Sequence, residues 1–398
     1  MGIGNLLILQ AGGPTPVVNA TLAGVLQEAS ASRSHKIFGA RYGMEGLIQG
    51  NVVDLSGLTP SQLKRLAATP GAALGSSRIK PSPAQLKTIL QLLQRLGVQQ
   101  VLFIGGNGTM RAAHSFHEFC RAEGYASQVI GIPKTIDNDI QATDRCPGYG
   151  SAARYVAQST RDLGIDVRSL PQPVSILETM GRSVGWLAAA SAAAKRESKD
   201  APHLVYLPER PFETEKFLSD LDRVLRSQNW AIVVVCEGIR DRAGRPVFEI
   251  EDASQADALN RRMPGGVSRF LAQTVARELK IRCRDEKPGL LGRASMLHAS
   301  KQDLTDAEFV GSEAVRALRA GHGDAMIALM PLRDGGSPSA QLVPLESVTG
   351  ADRTIPEDWL CNDDVPVNGK FLKYVAPLIG DLLEYEPAIS GLESYANA

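Results

Sequence analysis

The chain has 398 residues and sets 43 Lys and Arg against 43 Asp and Glu, so no overall field recruits nucleic acid or an anionic membrane, and anion binding must come from local cation clusters. With 43% hydrophobic and 22% charged residues it has an ordinary globular profile, long enough for two or three domains, and no apolar run approaches bilayer-spanning length. Five scattered cysteines fit reduced thiols in a cytosol better than a disulfide frame, and the short apolar run Leu6 to Leu9 lacks the basic residues of a targeting segment, so the expected location is cytoplasmic and the expected partners are small molecules.

In chain order, an expected strand from Asn5 to Gln10 runs into the glycine turn Ala11-Gly12-Gly13-Pro14-Thr15-Pro16 and an apolar-periodic helix from about Val17 to Ser30. Glycines there let backbone amides approach a phosphate, and a helix N-terminus adds free N–H groups and partial positive charge. The dinucleotide fingerprint Gly-x-Gly-x-x-Gly, which a Rossmann dehydrogenase needs, is absent. Lys36 to Ala40 and Asn51 to Asp54 read as short strands. The loop Thr69 to Lys80 contains Gly75-Ser76-Ser77-Arg78 and ends in two cations, Arg78 and Lys80; it reads either as a phosphate-holding loop or as ordinary surface. A helix from Ser82 to Leu96 leads to a buried strand, Val101 to Ile104, a second glycine turn, Gly105-Gly106-Asn107-Gly108-Thr109, and a further helix. His114 and His117, three apart on that helix, read as a solvated or half-buried pair rather than metal ligands.

The strand Val129 to Ile132 ends in Pro133-Lys134-Thr135-Ile136-Asp137-Asn138-Asp139, two carboxylates and an amide within three residues. Ligands of open α/β sheets bind outside the carboxyl ends of strands, so these side chains are expected in a cleft. In an extended segment Asp137 and Asp139 would point the same way, one accepting a proton and the other holding a cation; the alternative is simple turn chemistry. Further on, a helix from about Ala152 to Leu163 precedes a strand, Val174 to Leu177, followed by Glu178-Thr179-Met180-Gly181-Arg182. Arg182 can reach an anion or pair with Glu178. Ala231 to Cys236, the most apolar strand, ends at Glu237-Gly238. Arg261-Arg262-Met263-Pro264-Gly265-Gly266 opens another helix, and Arg282, Arg284, Lys287 and Arg293 form either a sugar-phosphate clamp or a solvated charged face. A helix from Ala307 to Ala320, a strand from Ala325 to Met330 and a loop-rich tail containing Phe371 and Tyr374 complete the chain.

These motifs resemble the phosphofructokinase family: Gly12-Gly13, Gly75-Ser76-Ser77-Arg78, Gly105-Gly106, Thr135-Ile136-Asp137-Asn138-Asp139, Met180-Gly181-Arg182 and Glu237-Gly238 stand in the family's order. The resemblance implies an α/β protein of two similar-sized domains with Rossmann-like, mostly parallel sheets and a cleft between them. The first would be a donor domain, 1–140, completed by part of 260–310; the second, 141–398, would bind the sugar phosphate. It further implies phosphoryl transfer to the 1-hydroxyl of fructose 6-phosphate, with Mg2+ and a homo-oligomer, dimer or tetramer. Asp137 would be the base, Asp139 and Asn107 would serve the metal, and Thr135, Met180, Gly181, Arg182 and Glu237 would contact the sugar. Arg284 and Arg293 would hold its 6-phosphate. Gly12, Gly13, Arg78, Lys80, Gly106, Gly108, Thr109 and Lys134 would bind the donor, with Arg78, Lys134 and Gly13 also serving transfer.

This chain departs from the family at Asn107, often Asp, at Leu290, usually His, and at Pro173, a cation in some relatives. Lys134 resembles the pyrophosphate-linked branch, as do Pro147-Gly148-Tyr149-Gly150-Ser151 and the Phe371/Tyr374/Pro377 tail, whereas Gly108 resembles ATP users; pyrophosphate is the expected donor and ATP the alternative. A catalytically silent sugar-phosphate-binding subunit is a third reading, against which Asp137, Asp139 and Arg182 argue.

Overall fold

Capping residues and buried strand runs set the element boundaries. The structure, a computed structural model, describes residues 4–31, 35–170, 174–248, 266–332 and 336–386. Pro173 and residues 261–265, singled out above, lie outside these. The first part of the chain forms β1 (Asn5–Gln10), α1 (Val18–Ser30), β2 (Ile37–Ala40), α2 (Gly43–Ile48), β3 (Val52–Asp54), α3 (Pro60–Ala67), α4 (Pro83–Leu96), β4 (Val98–Gly105), α5 (Asn107–Ala122) and β5 (Gln128–Pro133). There follow α6 (Tyr149–Arg168), β6 (Val174–Thr179), α7 (Trp186–Ala190), β7 (Leu204–Tyr206), α8 (Thr214–Gln228), β8 (Ala231–Cys236), α9 (Val267–Glu278), β9 (Cys283–Glu286) and α10 (Leu291–Ala294). The last elements are α11 (Lys301–Arg319), β10 (Ala325–Leu329), β11 (Ala340–Pro344) and α12 (Gly369–Ile379). α4 shows the local logic: Ser82 and Gln85 form a reciprocal capping box, Pro83 opens the helix, and Gly97 closes it at a φ of 62°.

One sheet runs β11-β10-β5-β4-β1-β2-β3 and the other β7-β8-β6-β9. The second is parallel throughout; in the first only the edge strands β3 and β11 run antiparallel. Strands covered on both faces read as unbroken apolar runs, and β8 is buried along its whole length. Each Val or Ile so buried contributes roughly 1.5–3 kcal/mol over leaving it in water. Among the described residues no helix is long and apolar enough to cross a membrane.

The first layer is completed from later in the chain, by α11, which starts within 260–310, and by strands beyond it. β10 and β11 supply its outer strands, and α11 lies on α1 so closely that a Cβ on Gly24 would sit 2.2 Å from the Glu308 carbonyl oxygen. The two sheets also differ in size, seven strands against four among the described residues. The tail expected to be loop-rich holds β11 and α12. Pro377 obscures the helical pattern of α12 and forfeits the bond to the Lys373 carbonyl, yet the burial of Phe371, Val375, Leu378 and Ile379 on one side holds the helix.

Candidate active site

The site lies where the C-terminal ends of β1, β4 and β5 face those of β6 and β8. Gly12, just beyond β1, takes a φ of 77°, inexpensive without a Cβ, and Ser76 Oγ donates to its carbonyl at 2.6 Å. A Cβ on Gly13 would lie 2.6 Å from Arg293 Nη1 and 3.5 Å from Arg78 Nη2. Lys134, buried at the end of β5, donates Nζ to the carbonyl oxygens of Ala11 (2.9 Å) and Gly13 (2.5 Å). Three cations thus converge on one glycine turn, an arrangement suited to a polyphosphate. Burial first, then the charges of Arg293 and Arg78, lower Lys134 to about 7, while Asp137 and Asp139 pull it up. Gly13→Ala should push Arg293 aside and weaken inorganic pyrophosphate roughly tenfold or more in a calorimetric titration, the loss of one charge-assisted contact; unchanged affinity would show that Arg293 does not serve this turn.

At the end of β4, Gly106 precedes α5 and packs beside Lys134 and Thr135, so the N-terminal end of α5 opens next to the same turn. Thr109 is buried with its side chain on Gly105, supporting the turn, whereas no atom lies within 4 Å of a Cβ built on Gly108. Lys80 is exposed two residues beyond Arg78.

The Asp137-Asn138-Asp139 stretch bends rather than extends. Asn138 takes a left-handed φ of 55°, which Asn tolerates better than most residues, so the two carboxylates do not share a strand face as expected. Its side chain fixes the bend: Nδ2 donates to Tyr374 OH at 2.8 Å and Oδ1 accepts from Cys146 N at 3.0 Å. Asp137 N donates to Thr135 Oγ1 at 3.1 Å. The Asp137 carboxyl keeps an opening to solvent but sits deep among protein groups. Burial first, then Asp139, Glu237 and Asp352, push it up to about 7, against the pull of Arg293. Asp139 is raised by burial and then by Asp352, with hydrogen bonds opposing the shift. Asn107 Nδ2 donates to Asp139 Oδ2 at 2.9 Å, and both Asn107 Oδ1 and Asp139 Oδ1 are buried without a hydrogen-bond partner.

Across the cleft, Gly181 at the end of β6 takes a φ of 137° and donates its N–H to Glu237 Oε1 at 3.3 Å, while Glu237 N donates to Thr179 O at 3.0 Å. A Cβ on Gly238 would fall 2.1 Å from the Arg182 carbonyl oxygen, so the two strand ends pack backbone to backbone. Burial raises Glu237 to about 7 despite the Gly181 N–H, Lys287 and Arg182. A small cavity lined by Met180, Thr179, Glu178, Ile136 and Tyr155 opens here. Glu178 itself accepts the Ser268 N–H at the start of α9 (2.9 Å) and an ion pair from Lys287 (3.2 Å).

Arg284 and Arg293, expected on a 6-phosphate, stand on different elements, β9 and α10. Arg284 lies on β9 opposite Ser175, near the start of β6, four residues back from Thr179 and thus roughly 13 Å from the strand end along its length. Arg293 stands over Gly13 on the glycine turn after β1. The sequence reading also missed Asp352 and Arg353. Arg353 N donates to Asp139 O at 2.8 Å, and its guanidinium lies 4.4 Å from the Trp186 ring centroid. His114 Nδ1 stands 3.0 Å from Asp324 Oδ1, two turns along α5.

The phosphofructokinase family model matches residues 5–318. Pyrophosphate--fructose 6-phosphate 1-phosphotransferase of Xanthomonas campestris is 36% identical, covering 99% of this chain and 96% of its own. A sulfofructose kinase of Alkalicoccus urumqiensis is 35% identical over 88% of this chain and 90% of its own. The crystal structure of a pyrophosphate-dependent phosphofructokinase from Marinobacter aquaeolei superposes with a TM-score of 0.85 at 29% identity, covering 98% of this chain and 95% of that one. With a family match from the first strand to the end of α11 and relatives alike over nearly their whole length, the chain belongs to the phosphofructokinase family.

Proposed function

We propose that the chain transfers a phosphoryl group from pyrophosphate to the 1-hydroxyl of fructose 6-phosphate. The observation that carries the proposal is the place of Asp137, whose carboxyl lies between Arg293, which stands over Gly13, and Glu237 of the opposite strand end. A donor on Gly12 and Gly13 and a sugar against Met180, Gly181, Arg182 and Glu237 would meet at that carboxylate. Asp137 takes the hydroxyl proton as the sugar oxygen bonds to the nearer phosphorus and the bond to the departing phosphate breaks. Arg78, Arg293 and Lys134 take up the charge of the phosphates. Donor bond and product ester are comparable, so transfer would run in both directions.

The residues fit magnesium: two buried side-chain oxygens, Asn107 Oδ1 and Asp139 Oδ1, lack partners beside a further carboxylate, Asp352. Asp139 and Asn107 would hold the ion, which when bound neutralises charge on the donor oxygens.

ATP as donor is the second reading, favoured by the open space at Gly108. Initial rates with fructose 6-phosphate, magnesium and each donor separate the two: pyrophosphate should support turnover and ATP little, and the reverse would transfer the assignment to ATP. Sulfofructose as acceptor, run alongside, should react poorly; preference for it would move the assignment toward the second relative. Arg182→Ala should raise the Michaelis constant for the sugar phosphate roughly tenfold or more, since a bound-state charge-assisted contact is lost; an unchanged value removes Arg182 from the sugar site.

Leu290, Leu291 and Leu297 are 63%, 68% and 94% exposed within eight residues, a surface fit for self-association. Sedimentation velocity should therefore show a homo-oligomer, and a monomer at micromolar concentration would contradict this. The five cysteines are free, in keeping with a cytoplasmic location.

A further inference from the structure

We infer that Asp352 is a third residue of the metal site, supplying the carboxylate that the amide at Asn107 does not. The inference rests on the magnesium reading above and adds a residue to it. Asn107 Nδ2 donates to Asp352 Oδ1 at 3.1 Å and to Asp139 Oδ2 at 2.9 Å, so two carboxylates far apart in sequence lie within reach of one amide nitrogen. Asn107 is only 9% exposed, and its own oxygen, like Asp139 Oδ1, is buried and unpartnered. A hard cation takes up such oxygens, and its affinity grows with the number of carboxylates around it. Without one, half-buried carboxylates brought together repel each other.

Asp352 is also held there by its backbone, independently of its carboxylate. Gln141 Nε2 donates to Asp352 O at 3.2 Å, and the next residue, Arg353, donates its N–H to Asp139 O and its Nη1 to Asn138 O at 3.2 Å. The Arg353 guanidinium is packed over Trp186 and Tyr374. The segment is thus fastened to the Asp137-Asn138-Asp139 bend from two sides, and the side chain between those ties faces the amide of Asn107. A carboxylate in the returning tail thereby stands where it can offset the missing one at the start of α5.

The test is Mn2+ binding, read by electron paramagnetic resonance with inorganic pyrophosphate present and sugar absent, so that no turnover occurs. Asp352→Asn should raise the Mn2+ dissociation constant roughly tenfold or more, as should Asp139→Asn. Asp352→Glu, which keeps the charge, should bind within a few-fold of the parent, roughly. Adding Asn107→Asp to Asp352→Asn should restore binding, because a carboxylate returns to the same oxygen cluster, a recovery that a purely structural role for Asp352 would not allow. Weakened binding in Asp139→Asn with none in Asp352→Asn overturns the role of Asp352 while leaving the metal reading standing, and so does the lack of recovery in the double variant. Unchanged binding in both single variants overturns the metal site itself.

Discussion

Asp137→Asn should lower kcat roughly 10²- to 10⁴-fold while the Michaelis constant for fructose 6-phosphate stays within about threefold, because a base is needed only as the transition state forms. The substitution keeps the shape of a side chain set among Asp139, Glu237, Asp352 and Arg293 and removes its basicity. A pH profile adds a second readout. Asp137, raised to about 7, must be deprotonated to accept the hydroxyl proton, so kcat/KM of the parent for fructose 6-phosphate at saturating pyrophosphate should rise with pH through neutrality, and that acid limb should vanish in the variant. A fall in kcat of less than about tenfold would exclude Asp137 as the base.

Lys134→Met should cut affinity for pyrophosphate by roughly 1.5–3 kcal/mol, or about tenfold to a hundredfold, through loss of a charge-assisted contact. The structure adds a reason for a larger effect: the Lys134 ammonium also ties the Ala11 and Gly13 carbonyls of the first turn to the end of β5. Its proton is held loosely, since burial and two guanidinium groups lower it to about 7. The group is charged below that pH and neutral above it, so kcat/KM for the donor should fall as pH rises past neutrality in the parent and lose this limb in Lys134→Met. Equal pyrophosphate affinity in both proteins, measured calorimetrically, would exclude Lys134 from the donor site.

Much of this site was legible because it is local. A glycine turn after β1, another after β4 and Asp137-Asn138-Asp139 after β5 each follow directly on an apolar run, and parallel pairing of β1, β4 and β5 brings all three ends to one side of a sheet. What could not be read depends on the chain's return. Asp352 and Arg353 lie in a segment without strand or helix periodicity, and long-range ties, the Arg353 N–H to Asp139 O and the docking of α12 with the Trp186, Trp359 and Tyr374 rings, set them against the bend at Asn138. The resemblance sets Arg284 and Arg293 on one 6-phosphate, but a motif does not say where a long side chain points; Arg284 follows the β9 register and Arg293 rides on α10 toward Gly13. The left-handed turn at Asn138 likewise overrode the period-two expectation for Asp137 and Asp139, since one residue at φ 55° breaks a strand's alternation.

Transfer from pyrophosphate to the sugar is tested most directly by phosphorus NMR of the protein incubated with magnesium, pyrophosphate and fructose 6-phosphate. The pyrophosphate resonance should decay while orthophosphate and a new 1-phosphate ester grow in equal amounts, with the 6-phosphate signal retained in the same product. Persistence of pyrophosphate, or orthophosphate released without a new sugar ester, would contradict it.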